Sequence, residues 1–314
     1  MRRVLVVGSI NMDLMVRCVR APRAGETVHG VEFRTAGGGK GANQAVACSR
    51  LGAETHMIGR VGDDAFGAEL RRALKADGVE VSGVMVDQGV ATGVALIVVE
   101  EGGENRIVIV PGANGRLGDR EVERARQVMG QVDAVLMPLE VPLPVVKAVA
   151  EAARKQGVLC VLDAGAATAA AVEMGLPALV DVISPNESEA EALTGMPVRS
   201  LEEARSAAQR LRDPSRPGMG AREVVIKLGD QGAYWLGPEG EAQVPAFPIQ
   251  PVDTTAAGDA FTACLTVALA EGRPMPEAIR RANAAGALAC LKLGAQPSMP
   301  TATEVESFLA ERDR

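Results

Sequence analysis

Aromatic side chains are nearly missing from this chain: they make up 2% of its 314 residues, with one Trp and one Tyr. Leu, Val, Ala and Met must therefore fill the core, and Trp235 and Tyr234 read as hairpin packing rather than a base-stacking platform. Histidine is scarce too, with only His29 and His56 and no E-x-x-H or cysteine cluster beside them, which argues against a zinc site or a His-based triad. The five cysteines, Cys18, Cys48, Cys160, Cys264 and Cys290, contain no C-x-x-C and are odd in number. Isolated thiols in a reducing compartment are expected. No hydrophobic run approaches membrane-spanning length, and the apolar run in M-R-R-V-L-V-V-G-S-I is too short for a signal peptide. Basic excess is absent too. A formal charge of -7 speaks against a nucleic-acid partner. Together these absences point to a cytoplasmic protein with no membrane contact.

What is present is a βα rhythm on a chain that is 47% hydrophobic, enough for one large α/β domain with a small appendage. Val4 to Ile10 reads as a strand buried on both faces of a parallel sheet. Helices are expected at 42–51 and 65–76, the latter capped by Asp63-Asp64. Val84 to Val86, Gly93 to Val99 and Arg106 to Val110 read as strands, with a turn at Gly102-Gly103. With the alternating segment near 14–31 these can form a small separate sheet, a lid and a dimer contact. The rhythm returns from Asp119, with strands at 134–139, 158–162, 180–183 and 223–228 and a returning hairpin arm at 232–236. Helices at 258–270, 276–290 and 303–311 close the chain. The expected division is a main domain over 1–13, 37–90 and 112–314, with the lid over 14–36 and 91–111.

Polar residues recur just past strand ends: Asn11, Asp13, Glu140, Asp163 and Asn186. In a parallel sheet those ends share one edge, so the residues converge there, although Asp163 and Asn186 taken singly can be helix caps. Asn11 and Asp13 flank one residue and point the same way in extended backbone, which suits vicinal sugar hydroxyls. The loop G-G-G-K-G-A-N-Q-A brings Gly39, Lys40, Gly41 and Asn43 near. It is not a Walker A loop, since Gly41 follows Lys40, and a flexible turn is the plain alternative. Farther on, V-D-T-T-A-A-G-D-A-F opens a helix. The amides of Ala256, Ala257 and Gly258 suit an anion, and Asp259, ionised at that positive end, suits a general base. Asp253 and Thr255 offer hard oxygens for a cation or a cap for that helix. Asn186 and Glu189 share one face of a helix start and suit Mg²⁺ organised through water. Lys227 can meet a phosphate or stand solvated at an edge strand.

These motifs resemble the ribokinase-like (PfkB) carbohydrate kinases over nearly the whole length: G-S-I-N-M-D, A-G-G-G-K-G-A-N-Q-A, S-P-N-E-S-E, D-T-T-A-A-G-D-A-F and L-G-A-Q-P-S occur in the family's order. The resemblance implies an α/β three-layer sandwich with a central, mostly parallel sheet and a small β-sheet lid, dimeric through that lid. It implies transfer of the ATP γ-phosphate to the 5-hydroxyl of ribose. Asn11, Asp13, Gly39, Asn43 and Glu140 would hold the sugar, beside Lys40 and Gly41. Asn186, Lys227 and Gly229 would lie along the nucleotide, with Asn283 at the adenine edge. Potassium would be held by Asp253 and Thr255, by carbonyls near Cys290 and Gly294, and by the Ser298 hydroxyl. Two positions depart from the family pattern: Lys227 stands where Thr is common and Asn283 where His is also found.

Rival readings are a kinase for deoxyribose or adenosine and a catalytically silent sugar-binding domain. A nucleoside kinase wants an apolar, preferably aromatic shelf that this composition barely supplies. A silent domain has no need of Asp259 and the small-residue helix mouth.

Overall fold

The computed structural model describes residues 1–102, 104–166 and 168–313. In chain order the strands are β1 (Arg3–Val7), β2 (Asn11–Cys18), β3 (Gly30–Gly38), β4 (Glu54–Gly62), β5 (Glu80–Asp87), β6 (Gly93–Glu100), β7 (Asn105–Val110), β8 (Ala134–Pro138), β9 (Leu159–Asp163), β10 (Val182–Ser184), β11 (Glu223–Lys227), β12 (Ala233–Gly237) and β13 (Gly240–Val244). The helices are α1 (Lys40–Arg50), α2 (Ala65–Ala76), α3 (Asp119–Met129), α4 (Leu143–Gln156), α5 (Ala169–Glu173), α6 (Glu187–Thr194), α7 (Leu201–Arg212), α8 (Ala257–Ala270), α9 (Met275–Ala289) and α10 (Ala302–Arg312).

Nine strands form the main sheet in the order β13-β12-β11-β10-β9-β8-β1-β4-β5, and only β12 runs against the rest, so that its pairings with β11 and β13 are antiparallel. The apolar run of β1 shows why the sheet is covered twice. Val4 and Val6 pack into one core with α1, α8 and α9, while Leu5 and Val7 pack into the other with α3, α4 and α7. Alternate side chains leave opposite faces, so an unbroken apolar run such as Val4 to Val7 demands helices on both sides. The result is a three-layer α/β sandwich. Alanines make the layer of α8 and α9, with Ala260, Ala263, Ala282 and Ala285 all fully buried, which substitutes close helix approach for aromatic bulk.

The second sheet has four strands in the order β3-β2-β6-β7. Val84 to Val86, which by pattern could have joined it, lie instead in β5, paired in parallel with β4 at the edge of the main sheet, as the division at 37–90 expects. A short apolar strand fits either sheet by pattern, and its pairing with β4 decides. The small sheet also begins earlier than residue 14, because β2 already pairs Asn11 with Gly38 and Gly93. Of the expected Gly102-Gly103 turn, Gly103 lies outside the described residues. Every residue of β7 is exposed, including Ile107, Val108, Ile109 and Val110, so the small sheet ends in an apolar, unpaired edge. No helix among the described residues is long and apolar enough to cross a membrane.

Candidate active site

Strand order reverses direction at β1, whose neighbours are β4 on one side and β8 on the other. Chains leaving the carboxyl ends of β1 and β8 part there and open a crevice. The turn after β1 is closed by Ser9, whose Oγ donates to Glu140 Oε2 at 2.6 Å, and the same oxygen accepts from the Lys40 amide at 3.1 Å. Helix α1 begins against this turn because its glycines permit it. Gly39 caps the helix with φ 85, and a Cβ on Gly41 would stand 2.6 Å from the Gly8 carbonyl carbon. The close approach made here is to the chain's own backbone.

Asn11 is buried, and its Oδ1 accepts from Asn114 Nδ2 at 2.7 Å. Asn114 in turn pairs with both the amide and the carbonyl of Ile10, fixing the turn from which Asn11 projects. Sequence reasoning missed Asn114; its only signal was a P-G-A-N turn after the last strand of the small sheet. Asp13 follows on the same strand. Burial first, then the charges of Glu140 and Asp259, push its carboxyl up to about 7. A cavity of about 270 Å³ is lined by Asn11, Asn114 and Glu140 and by Ile109 and Pro111 from the end of the small sheet; Asp13 and Asn43 are not part of its lining.

Asp259 occupies the first turn of α8 and is buried. It accepts from Asn43 Nδ2 at 2.9 Å and from Gln44 Nε2 at 3.1 Å, and Lys40 Nζ stands 3.6 Å away. The expectation of a carboxylate kept readily ionised by the helix end needs amending. Lys40 and Asn43 favour the charged form, but burial, Asp163 and Glu140 oppose them and raise its proton affinity. The Lys40 ammonium is held above its ordinary value by the Asp259 charge.

Helix α8 opens on Ala256 in the left-handed region, φ 59, and no side chain caps it. The capping alternative for Asp253 and Thr255 therefore fails, and the first-turn amides of Ala256 to Gly258 have no side-chain acceptor. Asp253 instead accepts from the amides of Thr255 at 2.9 Å and Gly294 at 2.8 Å. The Cys290 carbonyl accepts from Val252 and Asp253, so hydrogen bonds through Asp253 tie Thr255, Cys290 and Gly294 together just before α8. Ser298 Oγ turns to the Ala295 carbonyl at 2.7 Å. No three His, Cys, Asp or Glu side chains gather as a metal site among the described residues.

Asn186 is a helix cap. Its Oδ1 accepts from the Glu189 amide at 2.9 Å while Glu189 Oε2 accepts from the Asn186 amide at 2.8 Å, a reciprocal capping box on α6. Asp163 is not a cap. It is fully buried at the end of β9, accepts from Gln44 Nε2 at 2.8 Å and faces Lys227 Nζ at 3.5 Å. The reading of Lys227 as solvated on an edge strand is thereby corrected: β11 lies between β10 and β12, and the side chain is only 11% exposed. Gly229 turns the chain after β11 with φ 54. Asn283 donates to the carbonyls of Val244 and Pro245 and ties α9 to the exit of β13.

Comparison with known proteins agrees with this geometry. Residues 1–302 match the model of the pfkB family carbohydrate kinases. The chain is 39% identical over 311 residues to a ribokinase of Haemophilus influenzae, covering 98% of this chain and 99% of that one. It is 33% identical over 307 residues to a deoxyribokinase of Salmonella typhi, at 98% of each chain. Among solved structures, Arabidopsis thaliana ribokinase complexed with ribose and ATP superposes with a TM-score of 0.87 at 36% identity, covering 98% of both chains. Fold and site thus define a sugar kinase. More particularly, the chain belongs to the pfkB family of carbohydrate kinases.

Proposed function

We propose that this chain transfers the γ-phosphoryl group of ATP to the 5-hydroxyl of ribose. The observation that carries this reading is the contact of Asn43 on α1 with Asp259 at the uncapped mouth of α8, with Asn11 and Glu140 lining a cavity at the ends of the central strands. Asn11, Asp13, Asn43 and Glu140 hold the sugar hydroxyls, with Gly39, Lys40 and Gly41 shaping that wall. Asp259 orients the 5-hydroxyl and takes its proton. Little further activation is needed, because phosphoryl transfer proceeds through a loose transition state. The amides of Ala256, Ala257 and Gly258 receive the charge on the phosphoryl oxygens.

Asn186, Lys227 and Gly229 line the nucleotide, and Asn283 stands at its base. The carboxylate of Asp253, the hydroxyls of Thr255 and Ser298 and the carbonyls near Cys290 and Gly294 are the hard oxygens that would hold potassium, and Asp253 ties Thr255, Cys290 and Gly294 together. Glu189 organises Mg²⁺ through water. When bound, these cations neutralise phosphate charge and steady the helix mouth. The apolar β7 edge supports a homodimer formed through the small sheet, which also closes over the cavity as a lid. The unpaired cysteines suit a cytoplasmic setting.

Deoxyribose is the second reading, favoured by the likeness to the Salmonella enzyme. A phosphorylation screen with Mg-ATP over ribose, deoxyribose, fructose, fructose 6-phosphate and adenosine tests both. Ribose is expected to give the highest kcat/KM; preference for another acceptor would replace this reading.

A further inference from the structure

Burying one carboxylate is costly, and this site buries two. Asp163 and Asp259 are 0% and 3% exposed. They share a single donor: Gln44 Nε2 lies 2.8 Å from Asp163 Oδ2 and 3.1 Å from Asp259 Oδ1, which places the two carboxylates within ~6 Å of each other. The amide can stand only one way round, since turning it would aim Oε1 at two anions. Gln44 Oε1 is buried and has no hydrogen-bond partner among the described residues. Each carboxylate also has its own lysine, Lys227 at 3.5 Å from Asp163 and Lys40 at 3.6 Å from Asp259. Thr262 completes the arrangement from α8 itself, its Oγ 3.1 Å from Asp163 and 2.9 Å from the Gly258 carbonyl.

We propose that Gln44 and Asp163, with Lys227 as counter-charge, are positioning residues that clamp the carboxylate of Asp259 and set how strongly it holds a proton. The inference rests on the reading of Asp259 as the general base. Lys227 is thereby engaged with Asp163 before any nucleotide arrives. Physically, Gln44 stabilises ionised Asp259 by donating to it, while the fixed charge on Asp163 opposes that ionisation. The two influences have opposite sign, and this separates a clamp from mere packing. The other charged groups facing this centre are Lys40 on α1, Asp13 on β2 and Glu140 after β8; Glu189 on α6 acts on Lys40.

The test follows the Asp259 carboxyl carbon by NMR across pH in the full, unliganded chain, its signal assigned by its loss in Asp259→Asn. Asp13 is tracked as a separate signal. Gln44→Met is expected to move the Asp259 titration upward and Asp163→Asn to move it downward, each by about one pH unit. Gln44→Met should also lower kcat about tenfold, as for loss of a hydrogen bond to a charged group, with the sugar KM within about twofold. Should Asp163→Asn not fold with Lys227 left unpaired, the neutral double variant Asp163→Asn/Lys227→Met carries the same test, with a smaller downward shift. An Asp259 titration that stays put, or that moves the same way in both variants, overturns the clamp. The titration needs no turnover, so opposite shifts in a chain that leaves ribose untouched would sink the base assignment and not the clamp.

Discussion

Asn43 Nδ2 and Asp259 Oδ2 are 2.9 Å apart across 216 positions of sequence. The contact joins the glycine-rich start of α1 to the uncapped start of α8, so the wall assigned to the sugar and the mouth assigned to the phosphoryl group meet at one carboxylate. That meeting is the geometric condition for bringing a hydroxyl in line with a nucleotide.

Replacing Asp259 with Asn keeps the size of the side chain and removes the proton acceptor. Turnover should fall at least about a hundredfold, with sugar affinity by calorimetry little changed. Near-normal turnover would remove Asp259 from the chemistry.

Asp13 predicts two pH effects. Its folded value of about 7 stands above the ordinary 3.8, so between those limits the folded chain holds a proton that the unfolded chain has released. Stability from this group is fully present below about 4 and is lost as pH rises through about 7. Thermal melts of Asp13→Asn should show a flatter pH dependence across that window. The sugar KM of the unaltered chain should rise as pH falls below 7, because a protonated Asp13 accepts hydroxyl hydrogens poorly, and Asp13→Ala should raise it steeply at every pH. An unchanged KM in Asp13→Ala places the sugar elsewhere.

Potassium added at constant ionic strength should raise kcat, and Asp253→Ala should abolish the response, since Asp253 braces both Thr255 and Gly294, which are proposed to hold that ion. A flat titration in the unaltered chain would count against that cluster as a cation site.

Val108 is 60% exposed and points away from the side of β7 on which Ile109 lines the cavity. A lysine there should convert the expected homodimer to monomer in sedimentation experiments while the fold survives. A dimer that persists moves the interface to another surface.

Much of this architecture was legible along the chain. The buried β1, the small-residue α8 and the helix α2 carry local patterns that burial and capping enforce directly. Asp64, for example, accepts from the Gly67 amide at 2.8 Å at the start of α2. Short elements were harder to read. Strand β13 is largely polar and exposed and went unrecognised, and β5 was assignable to either sheet. The turn at Asn114 and the motif around Gln44 did not reveal what those amides bind, because an amide in a turn or helix looks the same whether its partner is water or a residue 100 positions away.

The chemical cast of the site was therefore set by sequence alone: which carboxylates, amides and glycines are available, and that strand ends would present them on one edge. Tertiary structure decided which of them touch. Lys227 became a buried counter-charge because two strands flank β11, and Asp163 became its anion because β9 ends there. Asp259 gained proton affinity because the fold excluded water around it. Burial and pairing depend on what the rest of the chain places nearby, and that no stretch of sequence can state by itself.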